Sequence, residues 1–174
     1  MWQPKRRWVL LGLMQSVSTA FPAKAQTMPV KSLTPEQVVR GFLDNVRSGR
    51  NLEAAAIYMA PQVQAHQVQS EREETLIRTP EDYAAHVRDF QRAFGPFTFT
   101  VEALIAQGDL VSVRWRQVGH HIQSLDGEAP TGAELVELTS AVYRVEGGKI
   151  VEYWLQTDRK GMDLQLAKAC NRLH

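Results

Sequence analysis

The sequence is poor in cysteine and lacks the motifs of several common enzyme classes. Its single cysteine, Cys170, excludes a disulfide within the chain and leaves only a bond to a second chain open. It has no glycine-rich phosphate loop, no Gly-x-Ser-x-Gly segment and no Cys-x-x-Cys pair, so no motif indicates nucleotide binding, a serine hydrolase or thiol redox chemistry. Its 20 basic and 19 acidic residues nearly balance, which gives no electrostatic reason to expect a nucleic acid as partner.

No apolar run reaches the roughly 20 residues that a helix needs to span a bilayer. The longest one, over residues 8–20, follows the basic run Lys5-Arg6-Arg7 and precedes Ala23-Lys24-Ala25. A basic start, a short apolar stretch and small residues at the cleavage site are typical of a secretory signal. We therefore predict a signal peptide over residues 1–25 that is removed on export to the periplasm or the exterior, leaving no membrane attachment. Arg6-Arg7 also resembles a twin-arginine signal, and the export route stays open.

The chain has 174 residues and is 44% hydrophobic, which is ordinary for a globular protein. The 149 residues after the signal peptide suit a flexible lead-in over 26–33 and one domain over 34–174. Thr34-Pro35, Asn51 and Thr79-Pro80 predict the starts of three helices. A short strand and a charged loop are predicted before the third helix. After that helix, apolar residues with a period of two predict four longer strands. The predicted strands are 63–68, 97–106, 110–118, 134–145 and 149–156, the loop is 69–77, and a last helix covers 161–173. Helices followed by a meander of strands favour an α+β fold.

Several segments, in their order along residues 33–166, resemble the SnoaL-like polyketide cyclases, which are related to ketosteroid isomerase and nuclear transport factor 2. The segments are Tyr58-Met59-Ala60-Pro61 with Val63 and His66, Gly119 with His121, Pro130-Thr131-Gly132, and Tyr143-Arg144-Val145 with Gly148 to Glu152 and Trp154. The resemblance implies a cone-shaped, cystatin-like fold with helices packed on a curved sheet that encloses a largely apolar pocket. It also implies a homodimer packed through the sheet and a cofactor-independent ring closure by intramolecular aldol chemistry.

Aldol chemistry needs a base next to a carbonyl and an acid for the developing oxyanion. The resemblance directs His66 and His121 toward the cavity, and imidazole exchanges protons near neutral pH. Asp158 is the third candidate catalytic residue, although an aspartate before a helix is also a favoured cap. The alternative for both histidines is a structural or surface role. The histidine spacing is not that of a compact metal site, so we predict neither a metal nor a cofactor.

Four further residues are candidates for the pocket wall: Tyr58, Trp115, Trp154 and Leu155. Trp115 has core packing as its alternative role. Leu155 stands where many relatives carry an ionisable residue, which weighs against catalysis. The sequence thus leaves three functions open: a cyclase or isomerase acting on a small, largely apolar carbonyl compound, a non-catalytic binder of such a ligand, and a dimeric scaffold. Two proton-exchanging groups that face one pocket would favour the enzyme.

Overall fold

The structure, a computed structural model, describes residues 32–68, 72–124 and 129–171. The predicted signal peptide and all but the last two residues of the lead-in lie outside these ranges and stay predictions. None of the helices in the described ranges has the length and apolar character needed to cross a bilayer.

Two helices begin with a threonine cap and a proline in the first turn. α1 (Pro35–Phe42) follows Thr34, whose hydroxyl accepts the Gln37 N–H while the Gln37 side chain accepts the Thr34 N–H. α3 (Pro80–Phe94) follows Thr79 in the same way, with Asp82 as the reciprocal partner. These capping boxes satisfy N–H groups that a helix start leaves unpaired, and such a cap is typically worth about 1 kcal/mol.

The first helix ends in a π-helical turn, Leu43–Arg47, that carries an arginine into the protein interior. A 3₁₀ turn (Leu52–Ala54) and the short α2 (Ala55–Tyr58) follow. The buried positions of α1 and the π turn recur at helical spacing and form one stripe: Val38, Val39, Phe42, Leu43, Val46 and Arg47. Five of the six are apolar, and only Arg47 brings a charge to the sheet.

Six strands form a single sheet in the order β2-β1-β6-β5-β4-β3. Their bounds are β1 (Met59–Val68), β2 (Glu73–Arg78), β3 (Thr98–Gln107), β4 (Leu110–His120), β5 (Glu134–Glu146) and β6 (Lys149–Thr157). β1 and β6 pair in parallel, and the other neighbouring pairs are antiparallel. α4 (Arg159–Cys170) closes the described chain. The predicted α+β fold, with helices packed on a mostly antiparallel sheet, is confirmed.

β2 corrects the prediction of a loop over residues 69–77. It is an edge strand whose residues are mostly exposed, and charged residues such as Glu73 and Glu74 are common at sheet edges, where they hinder pairing with another chain. β1 also begins earlier than predicted. Its pairing with β6 is irregular between Met59 and Gln64, around Pro61, which has no N–H to donate to a ladder.

Alternation along the central strands separates two faces of the sheet. The inward residues of β5 are Leu135, Glu137, Thr139, Ala141, Tyr143 and Val145, and those of β4 are Val111, Val113, Trp115, Gln117 and Gly119. Aromatic rings join this face to the helices, since Phe42 lies 4.9 Å from Tyr83 and 5.8 Å from Tyr143 in edge-on geometry. Each such pair adds about 0.5–1.5 kcal/mol beyond the area that it buries.

α4 is tied to the sheet by a side-chain amide. β6 ends at Thr157, so the backbone of Val136 has no strand beside it on that edge. Gln165 takes the place of a strand: its Oε1 accepts the Val136 N–H at 2.8 Å and its Nε2 donates to the Val136 carbonyl at 2.9 Å. This pair of bonds holds α4 against the end of the inward face.

We predict that Gly119→Ala destabilises the fold. An added Cβ would lie 2.8 Å from the Phe94 carbonyl oxygen and 2.9 Å from the Phe94 Cβ, so α3 and β4 would have to separate. Overpacking of this kind costs about 1–3 kcal/mol in the free energy of unfolding, measured by denaturant titration. Ser112→Ala, at an exposed position of the same strand, is the control. Equal stability of the two variants would contradict this close approach.

Candidate active site

A cavity lies between the inward face of the sheet, α3 and α4. It has two adjoining lobes, which we call the α4 lobe (about 380 Å³) and the β2 lobe (about 260 Å³). Both lobes are lined by Arg47, Gln67, His86, Leu155 and Arg159. Their volumes suit a small organic molecule.

The α4 lobe has one apolar wall and one polar wall. The apolar side chains are Phe90, Phe94, Leu155, Met162 and Leu166. Glu137, Thr157 and Asp163 add polar groups. A ligand in this lobe can therefore bury an apolar body while one end meets hydrogen-bonding groups.

A buried ion pair, Arg47–Glu137, forms the polar wall. Nη2 of Arg47 lies 3.0 Å from Oε1 of Glu137, and the two side chains are only 6% and 13% exposed. The Thr139 hydroxyl donates to the same Oε1 at 3.3 Å. The guanidinium carbon lies 5.4 Å from the Trp115 ring centre and 5.7 Å from that of Phe90, within cation–π range.

The pair leaves two polar atoms available. Both hydrogen bonds to Glu137 use Oε1, and Oε2 accepts none from the described residues. Nη1 of Arg47 is buried and has no hydrogen-bond partner among them. Glu137 and Arg47, which both line the α4 lobe, thus each keep one polar atom without a hydrogen bond to the described residues.

His86, on α3, contributes a second proton-exchanging group. It borders both lobes and is an exposed residue, with one side of its ring turned to the cavity. Loss of solvation and then the charges of Arg47 and Arg78 lower the pKa of His86 from 6.5 to about 4, against a smaller opposing effect of Asp89. The imidazole is therefore neutral at physiological pH and can donate or accept a hydrogen bond without carrying charge.

Gln117 is the neighbour of Glu137 on the adjacent strand. The two residues are paired in the β4–β5 register, so their side chains lie on the same face. Gln117 is 1% exposed, and neither its Oε1 nor its Nε2 has a hydrogen-bond partner in the described structure. Buried amides are seldom left unpaired, but Gln117 is not among the residues that line either lobe.

The predicted His121 lies on the inward side, just beyond β4, and is fully buried. The Thr131 N–H donates to its Nδ1 at 3.3 Å, which places the proton of a neutral ring on Nε2. Nε2 is buried and has no hydrogen-bond partner within residues 32–68, 72–124 and 129–171. His121 is not among the residues that line either lobe.

His66 and Trp154 lie on the opposite face from the one expected. The two residues are paired in the β1–β6 register, and their rings stack with centres 5.0 Å apart. His66 is paired through Nδ1 with Thr75 at 2.8 Å and through Nε2 with Glu152 at 2.9 Å. Adjacent strand residues face opposite ways, and the inward member here is the neighbouring Ala65.

Two other candidates have structural contacts away from the cavity. Oδ1 of Asp158 accepts the Gly161 N–H at 2.8 Å, so Asp158 caps α4, as the alternative interpretation had it. The Tyr58 hydroxyl receives a hydrogen bond from Asn45 at 3.2 Å, between the first two helices. Of the predicted wall residues, Leu155 lines both lobes. Trp115 is fully buried, and its ring packs against the guanidinium of Arg47.

Arg47, His86, Gln117 and Glu137 were not predicted from the sequence, although each interrupts a series of apolar residues at helical or strand spacing. Arg47 follows Leu43 by four residues on the first apolar stripe, and His86 precedes Phe90 by four on the third helix. Gln117 and Glu137 occupy inward positions of strands with a period of two. A polar residue at an apolar position was the available signal.

The described ranges contain no group of three His, Cys, Asp or Glu side chains close enough to hold a metal ion.

A family model for SnoaL-like polyketide cyclases matches residues 37–166. The chain belongs to this family. Among solved structures, IdmH of Streptomyces antibioticus, a candidate polyketide cyclase, is 27% identical, with a TM-score of 0.66 over 78% of this chain and 99% of that one. A candidate polyketide cyclase of Acidithiobacillus ferrooxidans is 26% identical, with a TM-score of 0.68 over 82% and 99%.

The fold of this SnoaL-like protein is also found with another described activity. AclR of Streptomyces galilaeus, a candidate hydroxylase, is 18% identical, with a TM-score of 0.64 over 77% of this chain and 85% of that one. No curated protein matched the chain in sequence. The family therefore fits a cyclase or isomerase, and the chemistry has to be argued from the site itself.

We predict that His86 makes the folded state less stable in acid. Because its pKa is about 4 when folded and 6.5 in an open chain, only the unfolded state binds its proton between these values. The free energy of unfolding should therefore fall as pH falls from 6.5 to 4, and this slope should be shallower in His86→Gln. His120→Gln, at an exposed position, is the control. An NMR titration that gave His86 an ordinary pKa would refute the prediction.

We also predict that Arg47→Met is strongly destabilising. It leaves the carboxylate of Glu137 buried without its cation, which costs about 3–5 kcal/mol in the free energy of unfolding. The double variant Arg47→Met/Glu137→Leu should recover part of that loss, since both charges are gone. Arg40→Met removes an exposed pair with Glu36 on the same helix and should cost less than about 1 kcal/mol. Similar costs for the two single variants would contradict a buried pair.

Proposed function

We propose that the protein binds a small carbonyl compound in the cavity and catalyses a cofactor-independent cyclisation or isomerisation by proton transfer. One observation carries the proposal: Glu137 is held through Oε1, while its Oε2 and Nη1 of Arg47 are unused beside the cavity. His86 borders the same cavity, so two proton-exchanging groups line one space.

In this proposal Oε2 of Glu137 takes a proton from the carbon next to a carbonyl. The electron pair of the broken C–H bond forms the C=C bond of an enolate, and the negative charge moves to the carbonyl oxygen. Nη1 of Arg47 donates to that oxygen, which is the group that gains charge in the transition state. His86 donates, as a neutral imidazole, to a second carbonyl of the same molecule.

Ring closure follows when the enolate carbon attacks the carbon of the second carbonyl. A C–C bond forms, the π electrons move to the oxygen, and this alkoxide takes the proton back from Glu137. In an isomerisation the same proton returns to another carbon. Atoms and electrons balance without an oxidant or reductant, and the apolar wall excludes water from the enolate. In this proposal Glu137 carries the proton and His86 donates a hydrogen bond, where the sequence had suggested His66, His121 and Asp158 as the proton-exchanging groups.

A non-catalytic binder is the second candidate function, because Leu155 faces both lobes at a position where many relatives carry an ionisable group. The two functions differ in one measurable step. A binder retains a carbonyl ligand without exchanging its protons, whereas the proposed enzyme removes a proton from the bound compound.

We expect the protein to accelerate exchange of the protons next to the carbonyl of 2-tetralone with deuterated solvent, followed by NMR. Glu137→Gln should slow this exchange about 10²–10⁴-fold, because it removes the base while keeping the side-chain shape. Glu134→Gln, at an exposed position of the same strand, is the control and should exchange as the unmodified protein does. Binding of 2-tetralone without accelerated exchange would favour the binder and exclude Glu137 as its base.

A further inference from the structure

The two lobes differ in charge. The β2 lobe is bordered by three guanidinium groups, Arg47, Arg78 and Arg159, and by one carboxylate, Glu74. Glu137 pairs with Arg47, whereas Arg78 and Arg159 form no ion pair within the described residues. After these charges are balanced, the β2 lobe keeps an excess of positive charge.

The carboxylates near the cavity do not cancel this excess inside it. Glu74 lies on the edge strand, and Asp163 borders the α4 lobe and not the β2 lobe. Both residues are exposed, as is Arg159, whereas Arg78 is half-buried and Arg47 is buried. Loss of solvation lowers the pKa of His86 most, and the charges of Arg47 and Arg78 lower it further, more strongly than Asp89 raises it.

The β2 lobe also offers neutral donors. Tyr83 and Tyr153 border it, and burial raises the pKa of both phenols, so each keeps its O–H at neutral pH. Guanidinium and phenol donors around one space are suited to the oxygens of a carboxylate. The α4 lobe, with its apolar wall, is suited to the rest of such a molecule.

We propose that the substrate is a carbonyl compound with an anionic end, a keto acid whose carboxylate binds Arg78 and Arg159 in the β2 lobe while its apolar body lies in the α4 lobe. This inference rests on the proposed function for the carbonyl and adds the charge of the substrate. It replaces the largely apolar ligand expected from the sequence with an amphipathic one. Arg47, paired with Glu137, then stays available for the reacting oxygen.

The test compares 4-acetylbenzoate with its methyl ester, which have nearly the same shape and differ in charge. Both are titrated into the protein while the ring resonances of His86, assigned with His86→Gln, are followed by NMR. The acid should bind at least about tenfold more tightly, as expected for one charge-assisted contact that is partly open to water. Arg78→Gln should remove most of this preference. Arg50→Gln, which removes one positive charge at an exposed site outside the lobes, should retain it.

A second readout is independent of affinity. A carboxylate in the β2 lobe offsets the charges of Arg47 and Arg78, so the bound acid should raise the pKa of His86, and the ester should not. A surface-bound anion would leave this pKa unchanged. The measurement thus locates the negative charge next to His86.

Three results would overturn the inference. The first is equal or tighter binding of the ester, and the second is a preference for the acid that survives Arg78→Gln. The third is that the ring resonances of His86 do not change up to about 10 mM acid, since a weaker affinity than that would be negligible. Failure of the proposed function looks different. In that case the acid still binds and shifts His86, but neither 2-tetralone nor the acid exchanges protons faster than in buffer.

Discussion

The interior of this protein depends on one constraint: a guanidinium and a carboxylate buried between helix and sheet must stay together. Removing two charges from water costs several kcal/mol per ion, and only close pairing offsets that cost. Arg47 reaches Glu137 because the π turn directs it inward at the end of an otherwise apolar stripe. The rings of Trp115 and Phe90 both pack against the guanidinium, so packing as well as charge fixes the geometry of the ion pair.

The two faces of the sheet carry polar networks of different character. On the outer face, both ring nitrogens of His66 have partners, and Glu152 is shared between His66 and Arg144, whose guanidinium lies over Trp154. Both ring nitrogens of His66 and both carboxylate oxygens of Glu152 are used, which is typical of a structural network. On the inner face, Arg47, Gln117 and His121 each keep a buried polar atom that has no hydrogen-bond partner in the described part of the chain. Of these three residues, only Arg47 lines the cavity, where it pairs with Glu137.

Much of the fold followed from local patterns in the sequence. Capping threonines located the helix starts, and a period of two located the long strands, because both signals depend only on near neighbours. The edge strand β2 was missed since its side chains are exposed and it has no apolar alternation. The site was harder to predict because register decides which face a side chain joins. A shift by one residue exchanges His66 with Ala65, and no local pattern fixes that choice.

The parallel pairing of β1 with β6 has a kinetic consequence. Residues 59–68 join residues 149–157, so strands far apart in the chain meet near the middle of the sheet. Closing so long a loop is entropically costly, and folds rich in such contacts form slowly. Gln67 of β1 and Leu155 of β6 are partners in this pairing and both line the cavity. Formation of the cavity is therefore tied to a long-range step of folding, the pairing of two strands that lie far apart in the chain.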